Sequence, residues 1–143
     1  MRPWRKICCP VDFSDTSRTA LQQAAYLASV FDGSVTAVHV YDPPLETGDA
    51  PLPVFDVFEK LRPELEQKLA GWTSEVEESA RGAIRSVVFL GNPPAEILRF
   101  AREGGFDVIV MGTHGRTGLR HLVLGSVAEQ VVRHADCPVV VMR

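Results

Sequence analysis

Three glycines and a serine in the last third of the sequence have the spacing of a phosphate-binding loop. Gly112 and Gly115 are followed, after nine further residues, by Gly125 and Ser126. Glycines let backbone N–H groups approach an anion closely, and a helix N-terminus adds unpaired donors and a favourable dipole. The stretch 126–129 reads Ser-Val-Ala-Glu, a capping-box pattern that predicts a helix with Ser126 as its N-cap. These residues together predict a phosphate site.

Glycines alone are equally typical of ordinary turns, so the surrounding elements carry the prediction. The apolar run Val108–Met111 comes directly before the first glycine and indicates a buried strand. The connection from Thr113 to Gly125 is longer than the usual loop of about 4–6 residues, and loops of that length are usually functional. A long glycine loop between a strand and a helix start therefore favours binding.

Composition limits the classes of function. The chain has 143 residues, which predicts one domain over 1–143, and its net charge of −3 gives no basic surface for nucleic acid. No apolar run approaches the ~20 residues that span a bilayer, and the apolar segment after the basic N-terminus stops at Asp12. We therefore expect a cytoplasmic protein. Cys8, Cys9 and Cys137 are interpreted as small buried hydrophobic residues, with a redox pair as the alternative.

Five apolar segments alternate with four helical patterns. The predicted strands are Lys6–Val11, Ser34–Tyr41, Ile84–Leu90, Val108–Met111 and Pro138–Met142. The predicted helices run from a cap at Ser14 or Asp15 to a stop at Gly33, over 54–76 with Pro63 as a kink or the true start, through 95–101 to Gly104, and over 127–134. This alternation predicts an α/β fold, with helices on both faces of a parallel sheet.

Ligands of such sheets bind at the carboxyl ends of the strands, where the winding direction reverses. Asp12 follows the first strand and Gly112 the fourth. If these two strands are neighbours, both loops open into one crevice. Asp12 has a second interpretation, because an aspartate after a strand is often only the cap of the next helix.

The glycine spacing resembles the nucleotide signature of the universal stress protein family, which is Gly-x-x-Gly, nine residues, then Gly-Ser or Gly-Thr. The resemblance extends along nearly the whole chain. Its other parts are Pro10–Ser14, the turn Gly91-Asn92-Pro93 followed by Ile97, and the C-terminal blocks 126–129 and 137–141. The stretch Asp42–Val57 resembles the family least.

The resemblance implies a single doubly wound, Rossmann-like sheet of five strands in the order 3-2-1-4-5. It also implies ATP (or AMP or ADP) bound at the carboxyl edge with Mg. Asp12, beside Pro10 and Val11, would contact the ribose or a metal ion through the phosphates, and the backbone of Val40 would recognise adenine. Met111 and Gly112 would flank the sugar. The residues expected to line the phosphates are Gly115, Arg116, Gly125, Ser126 and Val127. His114 is interpreted either as a further phosphate contact or as a solvated loop residue.

The function implied is that of an ATP-binding regulatory or stress-adaptation protein, acting through an unidentified protein partner. The alternative is a slow ATPase or phosphotransferase that uses the same site. A P-loop enzyme would need a Gly-Lys pair, and the chain has none. A flavodoxin-like carrier or a dinucleotide oxidoreductase would need a different first loop from Asp12-Phe13-Ser14.

In the order 3-2-1-4-5 the last strand lies at an edge of the sheet. Residues Val139–Met142 are apolar, and only the terminal Arg143 adds charge. An open apolar edge is a template for pairing with another chain. A second copy would cover it with a two-fold interface, so we expect a homodimer.

Overall fold

The structure, a computed structural model, describes residues 2–44, 53–77, 84–113 and 124–143. Five strands and four helices alternate along these segments. They are β1 (Lys6–Pro10), α1 (Asp15–Phe31), β2 (Ser34–Tyr41), α2 (Val54–Glu77), β3 (Ile84–Leu90), α3 (Pro93–Glu103), β4 (Val108–Gly112), α4 (Ser126–His134) and β5 (Val139–Met142). None of the helices in these segments is long and apolar enough to cross a membrane.

The strands form one parallel sheet in the order β3-β2-β1-β4-β5, which confirms the expected topology. β1 pairs with β2 on one side and with β4 on the other, where Ile7 lies opposite Val108. The chain therefore reverses its winding direction between β1 and β4. As expected, Asp12 and Gly112 leave the sheet at the same edge.

Each face of the sheet carries two helices and its own hydrophobic core. α1 and α2 cover one face, with Leu21 and Leu69 fully buried, and α3 and α4 cover the other with Ile97 and Val131. Because successive residues of a strand point to opposite faces, Cys9 joins the first core and Cys8 the second. Burial raises the pKa of the Cys8 thiol to about 12, as expected of a packing residue rather than a redox thiol.

α1 begins as predicted and ends one residue earlier than predicted. Ser14 is its N-cap, with a side chain that accepts from the backbone N–H of Ser17. The predicted stop at Gly33 was wrong, because Asp32 takes the left-handed conformation at φ 53° and caps the helix. Gly33 instead lets β1 and the start of β2 approach closely, since a Cβ there would lie 2.6 Å from the carbonyl oxygen of Arg5.

The start of α4 differs from the prediction. Gly125, not Ser126, is the N-cap, and Ser126 is the first helical residue. The carboxylate of Glu129 pairs with Arg133 at 2.7 Å instead of closing a capping box. The backbone explains the shift, because the Gly125 N–H donates to the carbonyl oxygen of Thr113 at 2.6 Å and fixes Gly125 outside the helix. The N-cap of α4 therefore has no side chain to accept from its first turn.

Pro63 lies inside α2, which excludes its interpretation as the true start of this helix. Three strands differ from their predictions by one residue. β1 ends at Pro10 instead of Val11, and β5 begins at Val139 instead of Pro138. The strand predicted to end at Met111 continues to Gly112. The predicted loop over 42–53 lies largely outside the described residues, and its described end at Pro53 is not helical.

Candidate functional site

A cavity of about 350 Å³ opens at the carboxyl edge of the sheet. It lies between the ends of β1, β2 and β4 and the first turns of α1, α3 and α4. Small-molecule sites are typically about 300–1,000 Å³, so this cavity is large enough for a nucleotide-sized ligand. Predicted site residues that line it are Pro10, Val11, Asp12, Val40, Met111, Gly112, Gly125, Ser126 and Val127. His114, Gly115 and Arg116 lie outside the described residues.

One part of the cavity is an apolar slot, formed by Val38, Val40, Ile97, Met111 and Ala128. All five side chains belong to, or pack against, the core beneath α3 and α4. Val38 and Val40 point to the same face of β2, and α3 and α4 contribute Ile97 and Ala128 from their N-terminal halves. A flat apolar group such as a purine ring fits this environment.

The rim beside β1 and β2 is acidic. Asp12 and Asp42 line it, and no lysine or arginine does so among the described residues. Oδ1 of Asp12 accepts from the backbone N–H of Ser14 at 3.0 Å and from the Ser14 hydroxyl. These bonds hold the carboxylate in a turn directly after β1. A carboxylate at this place accepts hydrogen bonds from hydroxyl groups and repels phosphate.

The rim beside β4 consists of backbone. Thr113 donates its N–H to the carbonyl oxygen of Met142 at 2.7 Å, and its own carbonyl accepts from Gly125. These bonds fix the start of α4 against the ends of β4 and β5. Gly125, Ser126 and Val127 then face the cavity with the N-terminal turn of the helix. The positive end of the helix dipole and its N–H groups favour an anion here.

Gly112, which lines the cavity, is also required by the fold. A Cβ at this position would lie 2.6 Å from Oγ1 of Thr16 and 2.9 Å from the backbone nitrogen of Ser17. Only a glycine lets the first turn of α1 pack this closely on the end of β4. The spacing of the glycines alone does not reveal this second role.

His39 is buried and lines the cavity from β2. Its Nδ1 lies 2.7 Å from the carbonyl oxygen of Val11. A carbonyl only accepts, so Nδ1 carries the proton and donates it. This hydrogen bond holds Val11, the residue that precedes Asp12. His134 bonds the carbonyl oxygen of Gln130 in the last turn of α4, away from the lining residues.

Half of the residues that line the cavity were not predicted as site residues from the sequence. The additional residues are Ser17, Val38, His39, Tyr41, Asp42, Pro93, Ile97, Thr113 and Ala128. Some had a usable signal: Val38 is two residues before Val40, and Asp42 follows the end of a predicted strand. Pro93 and Ile97 are one helical turn apart at the start of α3. Their place at the cavity depends on how α3 lies against β2, which no local pattern specifies.

The described residues contain no cluster of three or more His, Cys, Asp or Glu side chains that could hold a metal ion. The carboxylate oxygens of Asp12 and Asp42 are nevertheless of the kind that Mg²⁺ prefers. Mg²⁺ is usually bound by one or two carboxylates together with phosphates of a ligand. The donor set fits a metal ion that arrives with a nucleotide.

The fold and the cavity define a nucleotide-sized site on a doubly wound sheet, and comparison with known proteins gives the family. The model of the Universal stress protein family matches residues 3–143. Universal stress protein MJ0531 of Methanocaldococcus jannaschii is 36% identical over 140 residues, covering 98% of this chain and 82% of the relative. The chain therefore belongs to the universal stress protein family.

Solved structures agree with this assignment. The chain superimposes on protein MJ0577 of the same organism with a TM-score of 0.80 at 30% identity, over 99% of this chain and 96% of that one. A universal stress protein from Archaeoglobus fulgidus, solved in complex with dAMP, gives a TM-score of 0.70 at 25% identity. That match covers 99% of this chain and all of the other.

Proposed function

We propose that the chain is one nucleotide-binding domain over residues 1–143, which binds ATP with a divalent ion at this cavity and acts as a nucleotide-dependent regulatory protein. One observation carries the proposal: an apolar slot, an acidic rim and a helix N-terminus meet in one cavity of about 350 Å³. Their order matches the base, the sugar and the phosphates of a nucleotide. A relative solved with dAMP supports an adenine nucleotide as the ligand.

Each part of the ligand has a partner in this proposal. The base lies in the apolar slot, with the backbone of Val40 at its edge. Asp12 accepts from the ribose hydroxyls, and Met111 and Gly112 flank the sugar. Gly125, Ser126 and Val127 bind the phosphates through backbone N–H groups and the serine hydroxyl. His114, Gly115 and Arg116, outside the described residues, are proposed to complete the phosphate site.

A divalent ion would reduce the electrostatic repulsion between a triphosphate and the carboxylates of this cavity. Two carboxylates and no lysine or arginine line its described part. Mg²⁺ that arrives with the phosphates would offset the repulsion by these carboxylates, and Asp12 would be its ligand as the alternative to contacting the ribose. The described part of the lining also favours binding over efficient turnover, because it holds no lysine to neutralise the charge of a transferring phosphoryl group.

The central test is calorimetry and thermal unfolding with ATP and MgCl₂. At ATP about 100-fold above Kd, the free energy of unfolding should rise by roughly 2.7 kcal/mol. Gly125→Val places a side chain where phosphate must approach, so the increase should disappear. Gly71→Val is the matched control, since a Cβ at this exposed position on α2 has nothing within 4 Å. An unmodified chain that takes up no ATP would refute the proposal.

Base preference gives a second test of the slot. The carbonyl of Val40 would accept from the amino group of adenine and its N–H would donate to a ring nitrogen, whereas guanine presents the opposite pattern. GTP should therefore compete with ATP much more weakly than ADP or AMP does. Equal competition by GTP would place base recognition elsewhere in the chain.

We also propose that two copies pair through β5. The carbonyl oxygens of Pro138 and Met142 accept from the N–H groups of Ile109 in β4 and of Thr113 directly after it. Because bonding alternates along a parallel strand, the backbone polar groups of Val139 and Val141 point to the open edge. A second β5 would satisfy them. Light scattering should give a dimer at micromolar concentration.

Proline substitutions separate this interface from the fold. Val141→Pro removes an N–H from the open edge and should give a folded monomer. Val140→Pro removes an N–H directed at β4 and should destabilise the fold itself. A monomeric unmodified protein, or a Val141→Pro variant that remains dimeric, would exclude pairing through β5.

A further inference from the structure

The backbone after Asp12 takes a conformation that its sequence disfavours. Phe13 has φ 65°, in the left-handed region that a bulky side chain rarely adopts. The other described non-glycine residue with positive φ is Asp32, a residue type that tolerates this region at a helix end. Phe13 is therefore held in place by its surroundings, which must offset the strain.

The ring of Phe13 lies between β2 and α2. Its centroid is 4.6 Å from that of His39, and it meets the ring of Trp72 edge-on at 5.3 Å and 83°. The ammonium group of Lys68 lies 4.3 Å from the ring centroid. These separations are in the range where aromatic pairs and cation–π contacts are attractive. Three side chains outside the loop thus fix the ring of Phe13.

The same contacts hold Asp12 from both sides. Before it, Val11 donates its N–H to Val38 at 2.8 Å and accepts from His39. After it, the turn bond from Ser14 to Oδ1 of Asp12 spans Phe13. A relaxed φ at Phe13 would move the Ser14 N–H away from that carboxylate. Asp12 lines the cavity, whereas Phe13 and Trp72 do not.

We propose that Phe13, held by Trp72 and His39, is a positioning residue that aims the Asp12 carboxylate at the ribose hydroxyls of the bound nucleotide. This inference rests on the proposed function. It assigns α2 a part in ligand recognition, although neither Trp72 nor Lys68 touches the cavity. A packing role alone would be served by a phenylalanine with negative φ; the strained backbone is what the turn at Asp12 requires.

The test combines protein variants with ligand variants. Kd is measured by calorimetry for ATP and for 2′,3′-dideoxyATP, both with MgCl₂, because the second ligand has no ribose hydroxyl for Asp12 to bind. For the unmodified protein we expect ATP to bind about tenfold or more tightly than the dideoxy analogue, the usual effect of a hydrogen bond to a charged group. In Phe13→Ala this ratio should fall to about twofold or less by loss of ATP affinity alone.

Two further variants keep the test sharp. Trp72→Leu removes the edge-on partner without altering the loop sequence, and it should lower the ratio part of the way even if Phe13→Ala fails to fold. Phe31→Ala is the matched control, because Phe31 packs on Trp4 at the far end of α1, roughly 24 Å along the helix axis. Its ratio should equal that of the unmodified protein.

Each other outcome overturns the inference in a distinguishable way. Equal weakening of both ligands in Phe13→Ala and Trp72→Leu would mean that Phe13 only stabilises the fold. Equal binding of both ligands by the unmodified protein would remove Asp12 from the ribose and leave ATP binding intact. Failure of the unmodified protein to bind either ligand would refute the proposed function, and this inference with it.

Discussion

α1 and α4 begin side by side at the same edge of the sheet, yet their N-termini have opposite characters. The cap of α1 is Ser14, whose hydroxyl accepts from the first turn, and Asp12, two residues earlier, accepts from Ser14 with its carboxylate. The cap of α4 is Gly125, which has no side chain, and the only acid of its first turn, Glu129, pairs with Arg133. A capped N-terminus behind a carboxylate disfavours an anion, and an uncapped one after a glycine favours it.

This difference gives the cavity a direction. Hydroxyl groups of a ligand are expected at the α1 side and phosphates at the α4 side, with the apolar slot between β2 and α3 for the base. Without this difference, the N-termini of α1 and α4 would offer two equivalent anion sites. The short side chains of Ser14 and Asp12 remove one of them.

The largest expected effect distinguishes Gly112, which ends β4 and packs on the start of α1, from Gly125, the cap of α4. Gly112→Val would force a side chain into the backbone of Thr16 and Ser17, with contacts of 2.8 and 2.9 Å at Cβ alone. Overpacking of this kind should lower the free energy of unfolding by about 3 kcal/mol without any ligand. Urea unfolding measures it, with Gly125→Val as the comparison. Unchanged stability in Gly112→Val would mean that α1 and β4 are less closely packed than described.

Ser126 tests the phosphate end. Its hydroxyl does not cap α4, so Ser126→Ala should change the stability of the free protein by less than about 0.5 kcal/mol. The hydroxyl would instead donate to a phosphate, a charged acceptor, so ATP affinity should fall about tenfold. Adenosine, which has no phosphate, should bind both proteins alike. Equal loss for ATP and adenosine would argue against phosphate at α4.

The matched change at the other helix is Ser14→Ala. Loss of a serine N-cap should lower the free energy of unfolding by about 1 kcal/mol, measured by urea or thermal unfolding. Ser126→Ala is its control, because that serine is the first residue of α4, one position after the cap, and does not cap the helix. Similar costs for the two substitutions would contradict the difference between the helix starts.

The sequence predicts the architecture well, because most of the signals are local. Five apolar runs, four helical patterns and the family resemblance lead to the observed strand order. The strand bounds of β2 and β3 agree with their predictions. The residues at which the helices begin are harder to predict. The residue types at 126–129 match a capping box, but the bond from Gly125 to Thr113 decides where α4 begins.

The two sides of the cavity differ in how far the sequence predicts them. The α4 side was found from glycine spacing, a signal contained in one stretch of chain. The α1 side depends on contacts between Phe13, Trp72 and His39, which come from three separate elements. No spacing pattern marks a phenylalanine as strained. The second role of Gly112 is invisible for the same reason, since it depends on the position of α1.

The smallest expected effect is the hydrolysis of bound ATP. Fast phosphoryl transfer needs a lysine or metal on the phosphates and a residue that orients the attacking group. Asp12 is engaged by Ser14 at the α1 side, and phosphates are expected at α4, so this carboxylate is poorly placed to orient a water molecule. Turnover of ATP with MgCl₂ should therefore stay well below about 1 s⁻¹, the low end for ordinary enzymes. Phosphate release under saturating ATP, with Gly125→Val as the blank, measures this rate.

An arginine supplied by a partner can raise such rates by about 10³–10⁵. Faster hydrolysis only in the presence of a protein partner would therefore agree with a regulatory switch. Fast hydrolysis by the purified chain, lost in Gly125→Val, would make it an enzyme.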